Sequence, residues 1–194
     1  MQQTRRWVVV LVVGVAAVAL AAVVWVLMPG QDPVGPSGTP AAAGSTAENP
    51  GGSAGSGYGV AIRKLAEQVN GPGKVPVVYV LERTCPDVMT EPPVDTDCDK
   101  PIPAAVRDDL TAALRSFSRV EFVRTAAEVT GPDLETVNGG VLTMLGQARF
   151  SGGTAEVPLA VRKGGLNSRG MTYRLSYRDG QWQITGNMDS GWIS

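Results

Sequence analysis

The chain has 194 residues, 43% of them hydrophobic, and its 17 Lys and Arg against 18 Asp and Glu leave a formal charge of -1. That balance carries no electrostatic footprint of a nucleic-acid binder. The complete absence of histidine removes imidazole-assisted nucleophiles and the usual zinc ligand sets.

Residues 7–28 form an uncharged apolar run. As a helix it is about 33 Å long, enough for a hydrocarbon core of about 30 Å. Arg5 and Arg6 precede it and the next basic residue is Arg63, so positive-inside bias puts residues 1–6 in the cytoplasm and the rest outside. Trp7 and Trp25 fall where headgroup layers would anchor their rings. Ala19-Leu20-Ala21 has the form of a signal-peptidase site, but the run exceeds a cleaved apolar region and favours an uncleaved anchor. These features predict a single-pass protein of the cell membrane, with the lipid bilayer as its first partner. Gly14, Ala17 and Ala21 share one helical face through which two copies can approach, making a homo-oligomer a candidate. Residues 29–57, rich in Pro, Gly, Ala and Ser, read as a disordered linker, and residues 58–194 as one extracytoplasmic domain.

Within that domain, Val60, Ile62, Leu65 and Val69 have helical spacing and predict a helix over 59–69, stopped by Asn70-Gly71-Pro72-Gly73. Residues 75–81 form a short apolar run that reads as a buried strand. Cys85 and Cys98 are the only cysteines, and outside the cytoplasm they pair as a disulfide. Asp95, Asp97 and Asp99 alternate between and beside them but fall short of a calcium ligand set, so no metal is expected. Pro103 suits the first turn of a second helix carrying Val106, Leu110, Leu114 and Phe117 as its apolar stripe. Residues 120–123 read as a strand, and 125–138 is ambiguous.

The C-terminal part reads as antiparallel hairpins. Asp179-Gly180 is a two-residue turn that sets Tyr177 opposite Trp182 and Leu175 opposite Ile184. Gly152-Gly153 can turn similarly, setting Phe150 opposite Ala155, Ala148 opposite Val157, Gly146 opposite Leu159 and Met144 opposite Val161. Residues 163–171 read as a longer connection. These registers put Leu142, Met144, Phe150, Val157, Leu159, Val161, Tyr173, Leu175 and Trp182 on a face that helices must cover. Arg149, Glu156, Arg162, Thr172, Arg174 and Arg178 fall on a face that can meet water, with Glu156 between Arg149 and Arg178. Pro158 removes a ladder donor and implies a bend or bulge.

The tract TYRLSYRDGQWQITG over residues 172–186 resembles the closing hairpin of NTF2-like, cystatin-like α+β domains, as found in actinobacterial single-pass membrane proteins. The resemblance implies an α+β fold in which a curved antiparallel sheet packs on two helices, here behind a transmembrane helix and a flexible linker. It also implies a pocket or an assembly module. Enzymes of that family commonly pair an Asp with a His, which this chain lacks. Gly139-Gly140 and Gly164-Gly165 lack phosphate-loop context and read as turns. Glu82 and Glu121 are the only carboxylates worth weighing for acid–base chemistry. The expected function is a membrane-tethered, extracytoplasmic, non-catalytic binding or assembly module without cofactor; the alternative is an NTF2-like small-ligand pocket or enzyme. Its partner would be an acidic envelope component or membrane-complex subunit, held by Arg149, Arg162, Arg174 and Arg178.

Overall fold

The computed structural model describes residues 52–89 and 98–193. It begins with α1 (Ala54–Asn70), capped by Ser53, whose hydroxyl accepts from the Ser56 N–H at 3.2 Å, and closed by Gly71 at φ 86°. That serine cap starts the helix inside the tract read as linker. After β1 (Val77–Leu81), the short strands β2 (Arg83–Thr84) and β3 (Lys100–Pro101) pair with each other. Then come α2 (Ala104–Leu114) and β4 (Arg119–Val123). Single turns of 3-10 helix at Ala126–Val129 and Val137–Gly139 lead into β5 (Val141–Leu145). The chain finishes with β6 (Arg149–Ser151), β7 (Thr154–Gly164), β8 (Asn167–Arg178) and β9 (Gln181–Ile193).

The α+β content and the two helices match expectation, but the sheet does not. It is an open, mixed sheet in the order β4-β1-β5-β7-β8-β9, with β6 also on β7. β1 pairs parallel with both β4 and β5, and only the later strands are antiparallel. The cause is the crossover from β1 through α2 to β4, since a strand–helix–strand unit returns the chain in the same direction. The hairpin over 172–186 is present inside the longer β8–β9 pair. The curved, wholly antiparallel NTF2-like sheet is not, and that resemblance does not extend to the fold.

One face of the sheet is covered by the helices. Ile62, Leu65 and Ala66 of α1, with Leu110 and Leu114 of α2, pack on Val78, Val80, Val157, Leu159, Leu175 and Trp182. The helices approach so closely that a Cβ on Gly59 would lie 2.7 Å from the Ala113 Cβ. The other face carries a second, smaller core around Tyr79, Leu81, Cys85, Val88, Leu142, Met144 and Ala160. Cys85 and Cys98 form the expected disulfide, both half-cystines buried in that second core.

Leu142 and Met144 therefore lie opposite the face expected for them. Phe150 does pair with Ala155, but β5 pairs Leu145 with Leu159 and Met144 with Ala160, one residue out of step with β6. The slip occurs at Gly146, whose N–H donates to the Pro158 carbonyl at 2.8 Å and where a Cβ would meet the Pro158 ring at 2.6 Å. Pro158 itself stays in register with Thr172 inside an unbroken β7, so the irregularity expected there falls on the neighbouring strand, between β5 and β6, and the slip reverses the faces of β5.

No helix among the described residues is long and apolar enough to cross a membrane. α1, with 17 residues, exposes Arg63 and Lys64, and α2 has 11 residues; both are surface helices. The expected span over 7–28, with Trp7, Trp25 and the Gly14, Ala17 and Ala21 face, lies outside the described residues. The single-pass topology, the cell-membrane location, the bilayer and membrane-complex partners and the homo-oligomer drawn from it find no support in the structure. The tethered-module function, with its NTF2-like alternative, is set aside with them.

Candidate functional site: an arginine-lined groove on the outer sheet face

The helix-free face is closed at one end and open at the other. Over β1 and β5 it is filled by the second core. Over β6, β7, β8 and β9 it lies open, and register fixes what it displays. Pro158, Thr172 and Met188 form one rung; Arg149, Glu156, Arg174 and Gly186 form the next; Ser151, Thr154, Ser176 and Gln183 the third; Arg178 and Gln181 the last.

Two surface clefts meet on these rungs. The larger, about 500 Å³, is lined by Arg149, Glu156, Arg174 and Arg178 with the hydroxyls of Ser151, Thr154, Ser176 and Thr185. The smaller, about 260 Å³, runs beneath Pro86, Asp87, Val88 and Met89 and is lined also by Gln147, Pro158, Thr172 and Met188. Arg149 and Glu156 belong to both, so the clefts form one continuous groove.

The disulfide holds the groove's wall in place. Val88 is buried against the second core, its carbonyl accepts from the Trp192 indole N–H at 3.2 Å, and Asp87 accepts from the Met89 N–H at 2.8 Å. Tyr58 fixes the opposite side by donating to the Gly146 carbonyl at 2.8 Å and accepting from the Ala148 N–H at 3.1 Å. Both backbone groups freed by the slip are thereby satisfied, and β6 is held so that Arg149 stands across from Glu156. Burial pushes the Tyr58 hydroxyl pKa up, opposed by the Ala148 hydrogen bond, so it remains a donor at neutral pH.

Electrostatically the groove is cationic: Arg149, Arg174 and Arg178 line it against two carboxylates, Glu156 between them and Asp87 in the wall of the smaller cleft. Glu156 pairs with Arg174 at 3.7 Å, not with Arg178. Both partners are substantially exposed, so the pair contributes little to stability. Arg178 donates to the Ser176 hydroxyl at 3.3 Å, and Arg149 has no ion pair among the described residues. Arg162, expected with them, sits two rungs below Pro158 and donates to Thr130 Oγ1 at 3.0 Å, under the turn that follows β4. The structure thus gathers Arg149, Arg174 and Arg178 and leaves Arg162 outside the groove.

The carboxylates weighed for acid–base chemistry are engaged elsewhere. Glu82 pairs with Arg107 at 3.3 Å and Glu121 with Arg119 at 2.9 Å. Asp95 and Asp97 lie outside the described residues. Among the described residues no group of three or more His, Cys, Asp or Glu side chains converges on a point. Comparison with known proteins brings no relative to this geometry: no family model, no curated protein and no solved structure matches the chain.

Proposed function

We propose that this domain binds acidic ligands through the open half of its outer sheet face. The observation that carries the reading is the concentration of Arg149, Arg174 and Arg178 on the larger cleft, where Glu156 is the one lining carboxylate, with Asp87 lining the smaller cleft beside it. Guanidinium forks donate bidentately to carboxylates or phosphates, and a sheet fixes the spacing of the three backbone positions from which they project. The reading assigns the domain capture rather than a chemical step.

The test is binding of the full chain to poly-L-glutamate as salt is raised, for wild type and for an Arg174→Glu, Arg178→Glu double variant. Wild type binds at low ionic strength, weakens steeply as the Debye length falls from about 30 Å at 0.01 M to about 8 Å at 0.15 M, and the double variant does not bind. Equal binding by both proteins, or none at low salt, ends the proposal.

A further inference from the structure

The groove has a polarity along its length that a generic anion site would not need. Moving along β8, the outer-face residues are Thr172, Arg174, Ser176 and Arg178, so the cations stand on alternate rungs, separated by a hydroxyl rung. At 3.3 to 3.4 Å per strand residue, Arg174 and Arg178 are about 13 Å apart, and the Thr172 rung lies about 7 Å beyond Arg174. That end rung carries no cation: Pro158 and Met188 flank Thr172 under the wall made by Asp87, Val88 and Met89, so apolar side chains and one carboxylate stand where the other rungs have arginine. One straight line therefore passes over an apolar socket, a guanidinium, a hydroxyl step and a second guanidinium.

We infer that the groove recognises an extended acidic polypeptide segment with an apolar residue, an acidic residue two positions away and a second acidic residue four positions further on. This rests on the acidic-ligand reading above and adds the spacing. An extended ligand advances by the same 3.3 to 3.4 Å per residue as the strand beneath it, so even offsets put all three side chains on its sheet-facing side. The apolar side chain then seats between Met89, Pro158 and Met188, while the carboxylates meet Arg174 and Arg178. Arg149, across Glu156 from Arg174, offsets the carboxylate that would otherwise repel the first acidic residue. The groove is open along its length, which suits a chain lying across it better than an enclosed small molecule.

Three capped heptapeptides decide the matter, titrated against the full chain at fixed low salt. The first is Leu-Ser-Glu-Ser-Thr-Ser-Glu; the second replaces Leu by Ser; the third keeps the first one's composition with the two Glu adjacent. The first binds about tenfold more tightly than either of the others, a difference of about 1.4 kcal/mol. Met188→Ser lowers affinity for the first peptide and leaves the second unchanged, whereas Arg174→Glu with Arg178→Glu abolishes binding of all three. Equal, arginine-dependent affinity for the three peptides overturns the spacing while leaving the acidic-ligand reading intact. Arginine-independent binding, or none alongside a failed poly-L-glutamate titration, overturns both.

Discussion

The Tyr58 hydroxyl donates to the Gly146 carbonyl at 2.8 Å, joining the first turns of α1 to the point where β5 gives way to β6. It also accepts from the Ala148 N–H at 3.1 Å, so one side chain satisfies both backbone groups that the register slip removes from the ladder. Tyr58→Phe keeps the ring and leaves the buried Gly146 carbonyl and the half-buried Ala148 N–H without this partner. The expected loss is about 1 to 3 kcal/mol in urea unfolding, with faster amide exchange at Ala148. Wild-type stability and unchanged exchange would show that the hydroxyl is not what holds the break.

The parts legible in the sequence are those decided locally. The hairpin at Asp179-Gly180 follows from its turn residues, and both residues take positive φ, 53° and 79°. The Tyr177–Trp182 and Leu175–Ile184 pairs follow from it. The register of β5 was not legible, because Gly146 and Pro158 act together across strands and a one-residue slip leaves no mark in composition. Glu156 faces Arg174 rather than Arg178 because the 163–171 tract is no loop: Gly164 pairs with Asn167 around a tight turn. The ambiguous stretch after β4 did carry a signal in Thr125-Ala-Ala-Glu128, whose side chains complete a capping box. The order strand, helix, strand from β1 to β4 likewise announced a parallel pair.

The disulfide supports both the second core and the groove wall. For a sequence separation of 13, loop entropy predicts a stabilisation of about 3 kcal/mol. A Cys85→Ser, Cys98→Ser double variant should unfold at lower urea by that amount. It should also lose affinity for the leucine-bearing heptapeptide more than for its serine counterpart, since Val88 and Met89 wall the apolar end. An equal loss for both peptides would detach the wall from recognition.

Thr143 lies fully buried on β5 between Val80 and Val161, and its hydroxyl has no hydrogen-bond partner among the described residues. Desolvating a hydroxyl without such a bond costs about 1 to 3 kcal/mol. Thr143→Val preserves the branched shape and removes the unmet group, so it should stabilise the domain by about 1 kcal/mol. A fall in the urea midpoint would reveal a partner the valine cannot replace.

Alkaline pH should destabilise the fold in a definite window. Burial raises the Tyr173 pKa from 10.0 to about 12, against the lowering influence of Arg169, and the hydroxyl donates to Gln68 Oε1 at 3.3 Å. The folded pKa exceeds the unfolded one, so the unfolded chain releases its proton first. The stabilisation is complete below pH 10 and is lost as pH rises towards about 12. Tyr58, also raised, acts in the same direction. Urea unfolding across that range should fall less steeply for Tyr173→Phe, and an identical slope in the two proteins would remove Tyr173 as the cause.

Glu156 separates stability from recognition. Its ion pair with Arg174 spans 3.7 Å between side chains 58% and 41% exposed, in the order Arg174 then Glu156, and such pairs contribute about 0 to 1 kcal/mol. Glu156→Gln should therefore leave the unfolding midpoint nearly unchanged. It also removes the carboxylate that stands between Arg149 and Arg174, and in water a unit charge about 4 Å away is worth about 1 kcal/mol, roughly fivefold in affinity. Poly-L-glutamate should bind the variant about fivefold more tightly at low salt, with the advantage shrinking towards 0.15 M as screening sets in. Unchanged or weaker binding would mean that acidic ligands do not sit on the Arg149–Glu156–Arg174 rung, and the groove would lose its claim as their site.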